Sequence, residues 1–372
     1  MTDSLRIVVA GGGTGGHVYP GMAVVEALGA GTTSLFVGAR GGVEAGIFTR
    51  AGLAHELLPG YGLRRASLTR KAASPLVMGA AVARAAAILR SFHPDVVLGS
   101  GGFASAAVVM AAVALRVPRV LQEQNSVPGL VNRRLARFAD LVLLSYESSR
   151  AYLPAGARTQ VVGNPIRRMP RPTRAEAAAF FDLDPALPTV LVIGGSRGAH
   201  SLNMAGADAA RLLAGARPVQ FVILCGRADR AEVERRVAPV WARVRVREYL
   251  DEVHMAYALA DIAVARSGAS CVFEVALFGV PTVFVPYPFA ADQHQAGNAA
   301  PLVEAGAAQV VADRELTGER LCRELEPLLT DARVRAAMAD AMRAWARPDA
   351  ATRAAEAVRD VAKKKEPVRL AA

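Results

Sequence analysis

Twice along this chain a run of aliphatic residues stops at a cluster of glycines and gives way to a helical pattern. The first is Leu5-Arg6-Ile7-Val8-Val9-Ala10, followed by Gly11-Gly12-Gly13-Thr14-Gly15-Gly16-His17. The second is Thr189–Ile193, followed by Gly194-Gly195-Ser196-Arg197-Gly198-Ala199-His200. A buried-type strand that ends in glycines and opens a helix is the first crossover of a parallel sheet covered on both faces. Its recurrence points to a structural duplication, not a short-period repeat. With 372 residues and ~150 per domain, two domains are expected.

The rest of the chain fits that frame. Ser34–Val37, Val96–Leu98, Arg119–Leu121, Leu141–Leu144 and Gln160–Val162 read as further strands of the first half. Val219–Leu224, Val244–Arg247, Ile262–Ala265, Thr282–Val285 and Gln309–Val311 read as those of the second. Ala-rich helical patterns such as Ala72–Phe92, Ala104–Leu115 and Leu130–Ala139 lie between strands. The fold class expected is α/β, with two tandem Rossmann-like, doubly wound units. Asn164 to Pro172 carries three prolines and three arginines without apolar periodicity and reads as the linker. The domains expected are 1–163 and 164–345, with a C-terminal helix at about 346–372 packing back on the first. Lys363-Lys364-Lys365 reads as a solvated, frayed end.

Several classes are excluded or disfavoured. Hydrophobic residues at 52% and charged residues at 21% exclude a chain disordered throughout. No unbroken apolar run reaches the ~18 residues of a membrane span, and Met1–Ser4 leads straight into a strand, so no signal peptide is expected. Cys225, Cys271 and Cys322 form no CxxC pair, and the six histidines show no HxH or HExxH spacing, so no metal is expected. No phosphate loop of the G-x-x-x-x-G-K-[ST] type occurs. The net charge of +11 is concentrated early: residues 1–165 carry 16 Lys and Arg against 8 Asp and Glu, and residues 166–372 carry 28 against 25. That bias suits nucleic acid, phosphorylated ligands, anionic lipid headgroups, or mere solubility.

The glycine loops carry the candidate chemistry. Gly11, Gly13 and Gly16 match G-x-G-x-x-G, where bare backbone and a helix N-terminus favour anionic or electron-rich oxygen. The acidic residue that should end the second strand of a dinucleotide site is absent from Leu35–Arg40. His17, just after the loop, sits where doubly wound folds bind ligands, and imidazole suits proton abstraction near neutral pH. Gly99-Ser100-Gly101-Gly102-Phe103 adds a second bare loop, and Glu123-Gln124-Asn125-Ser126 follows another strand. In the second half, Arg266-Ser267-Gly268-Ala269-Ser270-Cys271-Val272-Phe273-Glu274 follows a strand. Its helix N-terminus suits a diphosphate, and Glu274 suits the paired hydroxyls of a ribose or a structural salt bridge. His294, Gln295 and Asn298 share a helical face whose neutral groups suit sugar hydroxyls.

Six segments occur in an order that resembles bacterial two-domain GT-B glycosyltransferases of family 28. They are Gly12 to Pro20, Gly99 to Phe103, Glu123 to Asn125, Gly163 to Arg167, Gly194 to Ala199, and Arg266 to Ala269. The chain is similar there to the UDP-N-acetylglucosamine:undecaprenyl-diphospho-MurNAc-pentapeptide N-acetylglucosaminyltransferases, from about residue 5 to residue 355. The resemblance implies a GT-B fold with a cleft between the two domains. It implies inverting transfer of GlcNAc from UDP-GlcNAc to the 4-hydroxyl of MurNAc in lipid I, giving lipid II for peptidoglycan, without a cofactor. It further implies roles in cell-wall biogenesis, cell shape and cell division. Donor binding is implied for the C-terminal domain and lipid acceptor binding for the N-terminal one.

Carried over residue by residue, Thr14, Gly15 and Gly16 line the site near the diphosphate and acceptor, and His17 is the general base. Asn125 contacts GlcNAc, Arg167 and Ser196 bind the diphosphate, and Leu250 meets the uracil edge. Ala269, Ser270, Cys271, Val272, Phe273 and Glu274 form the diphosphate-facing helix start, with Glu274 on the ribose, while His294 and Gln295 hold GlcNAc hydroxyls. Three positions depart from the family pattern. Arg197 stands where Gln is usual, Ala106 where Gly is common, and His294 where some relatives have Gln.

A polyprenyl acceptor implies peripheral work at the cytoplasmic face of the cell membrane, on an anionic inner leaflet. Arg64, Arg65, Arg70 and Lys71 beside Pro75-Leu76-Val77-Met78 suit that surface, and equally a solvated loop before a core helix. Partners among cell-wall and division proteins stay open. A UDP-GlcNAc 2-epimerase of the same fold is the alternative. A nicotinamide oxidoreductase lacks its acidic residue, and a nucleic-acid binder lacks basic residues interleaved with aromatics.

Overall fold

The computed structural model describes residues 4–60, 74–195, 198–290 and 293–364. The chain divides into two units. One holds the described residues up to Arg167 together with those from Pro348 on, and the other holds Arg168–Arg347. Among the described residues the first unit contains seven strands: β1 (Leu5–Ala10), β2 (Thr32–Ala39), β3 (His55–Leu58), β4 (Val96–Gly99), β5 (Arg119–Glu123), β6 (Leu141–Leu144) and β7 (Thr159–Val161). They form one parallel sheet in the order β3-β2-β1-β4-β5-β6-β7. The second contains β8 (Thr189–Ile193), β9 (Gln220–Leu224), β10 (Val244–Arg247), β11 (Ile262–Ala265), β12 (Thr282–Phe284) and β13 (Ala308–Val310), in the order β10-β9-β8-β11-β12-β13. Each unit thus runs outward from its first strand, returns, and continues on the other side. The reversal falls between β1 and β4 in one unit and between β8 and β11 in the other, the place where such sheets bind ligands beyond their carboxyl ends.

Local sequence explains the strands. Val190, Leu191 and Val192 on β8, and Val8 and Ile7 on β1, are fully buried, as strands covered on both faces require. The helix after the first strand packs closely in both units by the same device. A Cβ on Gly21 would lie 2.6 Å from Val9 Cγ1, and one on Gly206 would lie 2.8 Å from Val192 Cγ1. Strand β3, with the sequence His-Glu-Leu-Leu, is missing from the sequence reading because only one of its four residues is fully buried. The expected helix Leu130–Ala139 is α-helical only over Leu130–Leu135 and tightens to a 3-10 turn over Ala136–Phe138.

The last helix, Ala350–Lys363, belongs to the first unit. Ala354, Val358 and Val361 join Ile7, Val24 and Phe36 in one core cluster, and Arg353 donates to the Val161 carbonyl at 2.9 Å. Contrary to the expectation that no segment is long enough to span a membrane, Pro75–Phe92 meets that requirement by length and composition. Counting unbroken apolar runs misses it because Arg84 and Arg90 interrupt the run. Ala81, Ala85, Ile88 and Leu89 lie at helical spacing and are buried in the core with Ala107 and Val108 of the 102–114 helix, which accounts for one apolar face.

Candidate active site

At the first reversal the glycine loop after β1 meets the loop after β4. Ser100 N–H donates to the Ala10 carbonyl at 2.9 Å, and Ser100 Oγ lies 2.5 Å from the His17 carbonyl. Gly101 has φ +103°, which favours glycine, and a Cβ there would lie a tight 3.2 Å from His17 Nε2. His17 Nδ1 lies 2.8 Å from the Gly12 carbonyl oxygen. A carbonyl can only accept, so Nδ1 carries a proton, and the tautomer this contact selects has its lone pair on Nε2. Among the described residues no hydrogen bond reaches Nε2. The Thr14–Gly16 amides open the 15–28 helix without a side-chain cap. His17 can therefore accept a proton beside exposed helix-terminal N–H groups.

Two buried carboxylates stiffen this edge. Glu44, on the first turn of helix Val43–Arg50, is 1% exposed; its Oε2 accepts from Gly13 N–H and its Oε1 from Ala39 N–H, both at 3.0 Å. Glu123, at the end of β5, accepts from Asn125 N–H (2.9 Å), Asn125 Nδ2 (3.3 Å), Gly129 N–H (3.0 Å) and Asn132 Nδ2 (2.8 Å). Asn125 is thereby held at its strand end, and Gln124 Nε2 ties the same segment to the Ser100 carbonyl at 3.0 Å. Arg167, expected in the second domain, falls in the first unit, with its guanidinium 4.8 Å from the centre of the Tyr19 ring.

The second reversal is built differently. Gly198 has φ +73°, and a Cβ there would lie 2.1 Å from the Cys225 carbonyl oxygen. Asn203 Nδ2 bridges that carbonyl and Asp229 Oδ2, each at 2.7 Å. Ser196 lies outside the described residues. After β11, Gly268 caps helix Ala269–Phe278 with no side-chain hydrogen bond, leaving its first amides available to an anion. Arg266 anchors the turn from beneath, 2.6 Å from Asp313 Oδ1 and 3.0 Å from the Val285 carbonyl.

The side chains of the 269–274 segment divide sharply. Val272 and Phe273 are buried, Phe273 with its ring centre 4.9 Å from that of Trp345, so only their backbone can serve a ligand. Glu274 is half-buried and its Oε2 accepts from the Tyr257 hydroxyl at 2.8 Å. Burial, then the Glu274 charge, holds the Tyr257 hydroxyl well above its ordinary range, so it remains a donor. The same two causes push the Cys271 thiol up to about 12, partly opposed by a hydrogen bond with Tyr257, which leaves an un-ionised thiol.

Leu250 is half-buried after β10, and His294 and Gln295 begin the 294–304 helix. Gln295 Oε1 accepts from Tyr287 N–H at 2.9 Å. Asn298 is a correction to the shared sugar-binding face. It is fully buried and donates to the Ser267 carbonyl at 3.0 Å, bracing the turn before the 269–278 helix.

Residues 7–144 match the glycosyltransferase family 28 N-terminal domain, and residues 189–361 the glycosyltransferase family 28 C-terminal domain. The chain belongs to glycosyltransferase family 28. A Prosthecochloris aestuarii relative is 39% identical over 354 residues, covering 93% of this chain and 96% of that protein. An Anaeromyxobacter relative (strain Fw109-5) is 38% identical over 365 residues, covering 97% and 94%. Both are named UDP-N-acetylglucosamine–N-acetylmuramyl-(pentapeptide) pyrophosphoryl-undecaprenol N-acetylglucosamine transferase. The crystal structure of Acinetobacter baumannii MurG is similar at TM-score 0.76 and 26% identity, covering 96% of this chain and 99% of that one. A UDP-N-acetylglucosamine 2-epimerase structure is 15% identical at TM-score 0.65, covering 98% of each chain, a likeness in fold alone.

Within this family 28 chain the structure gathers Thr14, Gly15, Gly16 and His17 at one reversal, and at the other places Ala269–Glu274 after β11, the strand paired with β8. Two supporting residues escape sequence reasoning. Glu44 comes back to the end of β2 from a helix five residues later, so a search for an acidic residue at the strand end passes it by. Tyr257 lies on helix Val253–Leu259 amid ordinary apolar positions, and only the fold brings it to Glu274.

Proposed function

We propose that this glycosyltransferase moves GlcNAc from UDP-GlcNAc to the 4-hydroxyl of MurNAc in undecaprenyl-diphospho-MurNAc-pentapeptide, giving lipid II with inversion at the anomeric carbon. The observation that carries this reading is the near-full-length similarity to the Prosthecochloris protein named for that transfer. Each unit carries groups suited to part of this chemistry. His17 Nε2 takes the acceptor hydroxyl proton as the hydroxyl oxygen bonds to C1. The C1–O bond to the diphosphate breaks, and its electron pair leaves with UDP. The amides at Ala269, Ser270 and Cys271, with Ser196 and Arg167, stabilise the charge that grows on the diphosphate. Glu274 holds both ribose hydroxyls, Leu250 meets the uracil edge, and Asn125, His294 and Gln295 hold GlcNAc hydroxyls. Thr14, Gly15 and Gly16 line the approach of the acceptor and diphosphate.

The enzyme works as a peripheral protein on the anionic cytoplasmic leaflet. Leu76, at the start of helix Ser74–Phe92, is 81% exposed, and the basic stretch Leu63–Lys71 before it lies outside the described residues. An exposed aliphatic beside basic sequence suits a headgroup surface. Charge reversal at Arg64, Arg65, Arg70 and Lys71 is expected to weaken sedimentation with anionic liposomes and leave UDP binding intact. Unchanged sedimentation removes this part of the reading.

The deciding experiment is transfer of radiolabelled GlcNAc from UDP-GlcNAc to a short-chain lipid I analogue, beside a reaction without acceptor. Acceptor-dependent product supports the transferase. Donor conversion without acceptor assigns the chain to epimerase chemistry instead.

A further inference from the structure

We propose that Glu44 is a positioning residue for His17 and acts through the peptide bond between Gly12 and Gly13. This rests on the reading of His17 as the base. The carbonyl that accepts from His17 Nδ1–H is that of Gly12, at 2.8 Å, and the N–H that donates to Glu44 Oε2 is that of Gly13, at 3.0 Å. These two groups are opposite ends of one planar, conjugated amide. A carboxylate on its N–H side draws electron density toward its oxygen, making that oxygen a better acceptor for the imidazole. The pair is a carboxylate–histidine couple with a peptide group inserted between its members.

The loop is shaped around this carboxylate. A Cβ on Gly12 would lie 2.2 Å from Glu44 Oε1, one on Gly42 would lie 2.3 Å from Oε2, and one on Gly38 would lie 2.6 Å from Cγ. Three glycines from three segments leave the space that Glu44 fills. Its other oxygen is fixed by Ala39 N–H at the end of β2, and the first turn of its own helix favours negative charge. The carboxylate is thus immobilised against the peptide whose carbonyl accepts from His17 Nδ1.

The chemical consequence concerns the proton. With Nδ1–H committed to Gly12, the neutral ring keeps its lone pair on Nε2. When Nε2 takes the acceptor proton, the ring gains a positive charge while Nδ1–H stays in place. The Gly12–Gly13 peptide, polarised by Glu44, stabilises that imidazolium without any further proton moving. A bare structural brace accounts for loop rigidity and leaves the histidine tautomer indifferent to charge at residue 44.

The test is long-range 1H–15N correlation of the His17 ring in full-length protein, for the parent and Glu44→Gln. Gln keeps the shape but loses the charge, and it must turn an NH2 toward one of the two backbone donors. The expected result is a parent ring protonated at Nδ1 and a variant ring that exchanges between tautomers. In the transfer assay kcat is expected to fall about tenfold, as for loss of one charge-assisted hydrogen bond, while KM for UDP-GlcNAc is unchanged. A folded Glu44→Gln protein with the parent tautomer and parent kcat overturns the proposal.

Should Glu44→Gln not fold, the coupling is read from the other end. His17→Ala is expected to move the Gly13 amide proton resonance and leave that of Ala39, on the opposite carboxylate oxygen, in place. No movement at Gly13 overturns the proposal. The tautomer readout holds whether or not His17 is the base, whereas retained transfer by His17→Ala refutes the base assignment alone.

Discussion

The two units share a strand order and place a glycine loop after their first strand, yet the two reversals are finished for different work. In the first, the loop is clamped by buried polar groups: Glu44 holds Gly13, Ser100 holds the His17 segment, and Glu123 holds Asn125. The single titratable side chain carried on that loop, His17, has its tautomer set by a backbone carbonyl. In the second, the loop is held by close backbone packing at Gly198 and by Asn203, and the uncapped helix start at Ala269 is left open. A proton acceptor needs a fixed orientation, whereas a diphosphate needs unclaimed N–H groups. Duplication supplied one scaffold, and the polar residues around each reversal specialised it.

That contrast can be broken or sharpened by substitution. The largest effect is expected from His17→Ala, which should lower acceptor-dependent transfer by about 10²-fold or more, the usual contribution of general base catalysis. Initial rates at saturating donor check it. Next comes Glu274→Ala, expected to weaken UDP binding by about 10- to 100-fold through loss of hydrogen bonds to a charged group. It should also abolish the preference for UDP over 2′-deoxy-UDP, which calorimetry with both nucleotides reads directly. Tyr257→Phe, which removes one donor from the Glu274 carboxylate, should give a smaller change in the same ratio.

Gly198→Ala should destabilise the protein by at least ~1–3 kcal/mol, because the new side chain is strained at positive φ and collides with the Cys225 carbonyl. Gly13→Ala meets nothing within 4 Å at φ +87°, so it bears the backbone strain alone and should cost less. Thermal melts of the two variants compare the loops. Equal losses would contradict the view that close packing locks Gly198 and leaves Gly13 to backbone strain alone.

The fold was legible because the code for it is local and redundant. Buried parallel strands read as aliphatic runs, and the glycine loops mark where each sheet begins. β3 escaped because three of its four residues are only half-buried, so its pattern carries little contrast. The candidate residues were legible where they lie in one contiguous motif at a strand end, as at Thr14–His17 and Ala269–Glu274. It was not legible where a role depends on contact between distant segments. Glu44 reaches Gly13 across 31 positions, and Tyr257 reaches Glu274 across 17. Asn298 shows the opposite error, since helical spacing groups it with His294 and Gln295 but burial turns its amide to the Ser267 carbonyl.

The proposed division gives proton transfer to His17 at the first reversal and the ribose contact to Glu274 at the second. Its most direct measurement is calorimetric titration of UDP into the parent, His17→Ala and Glu274→Ala. Parent affinity is expected for His17→Ala and strongly weakened binding for Glu274→Ala. Loss of UDP binding in His17→Ala, with parent affinity in Glu274→Ala, would contradict it.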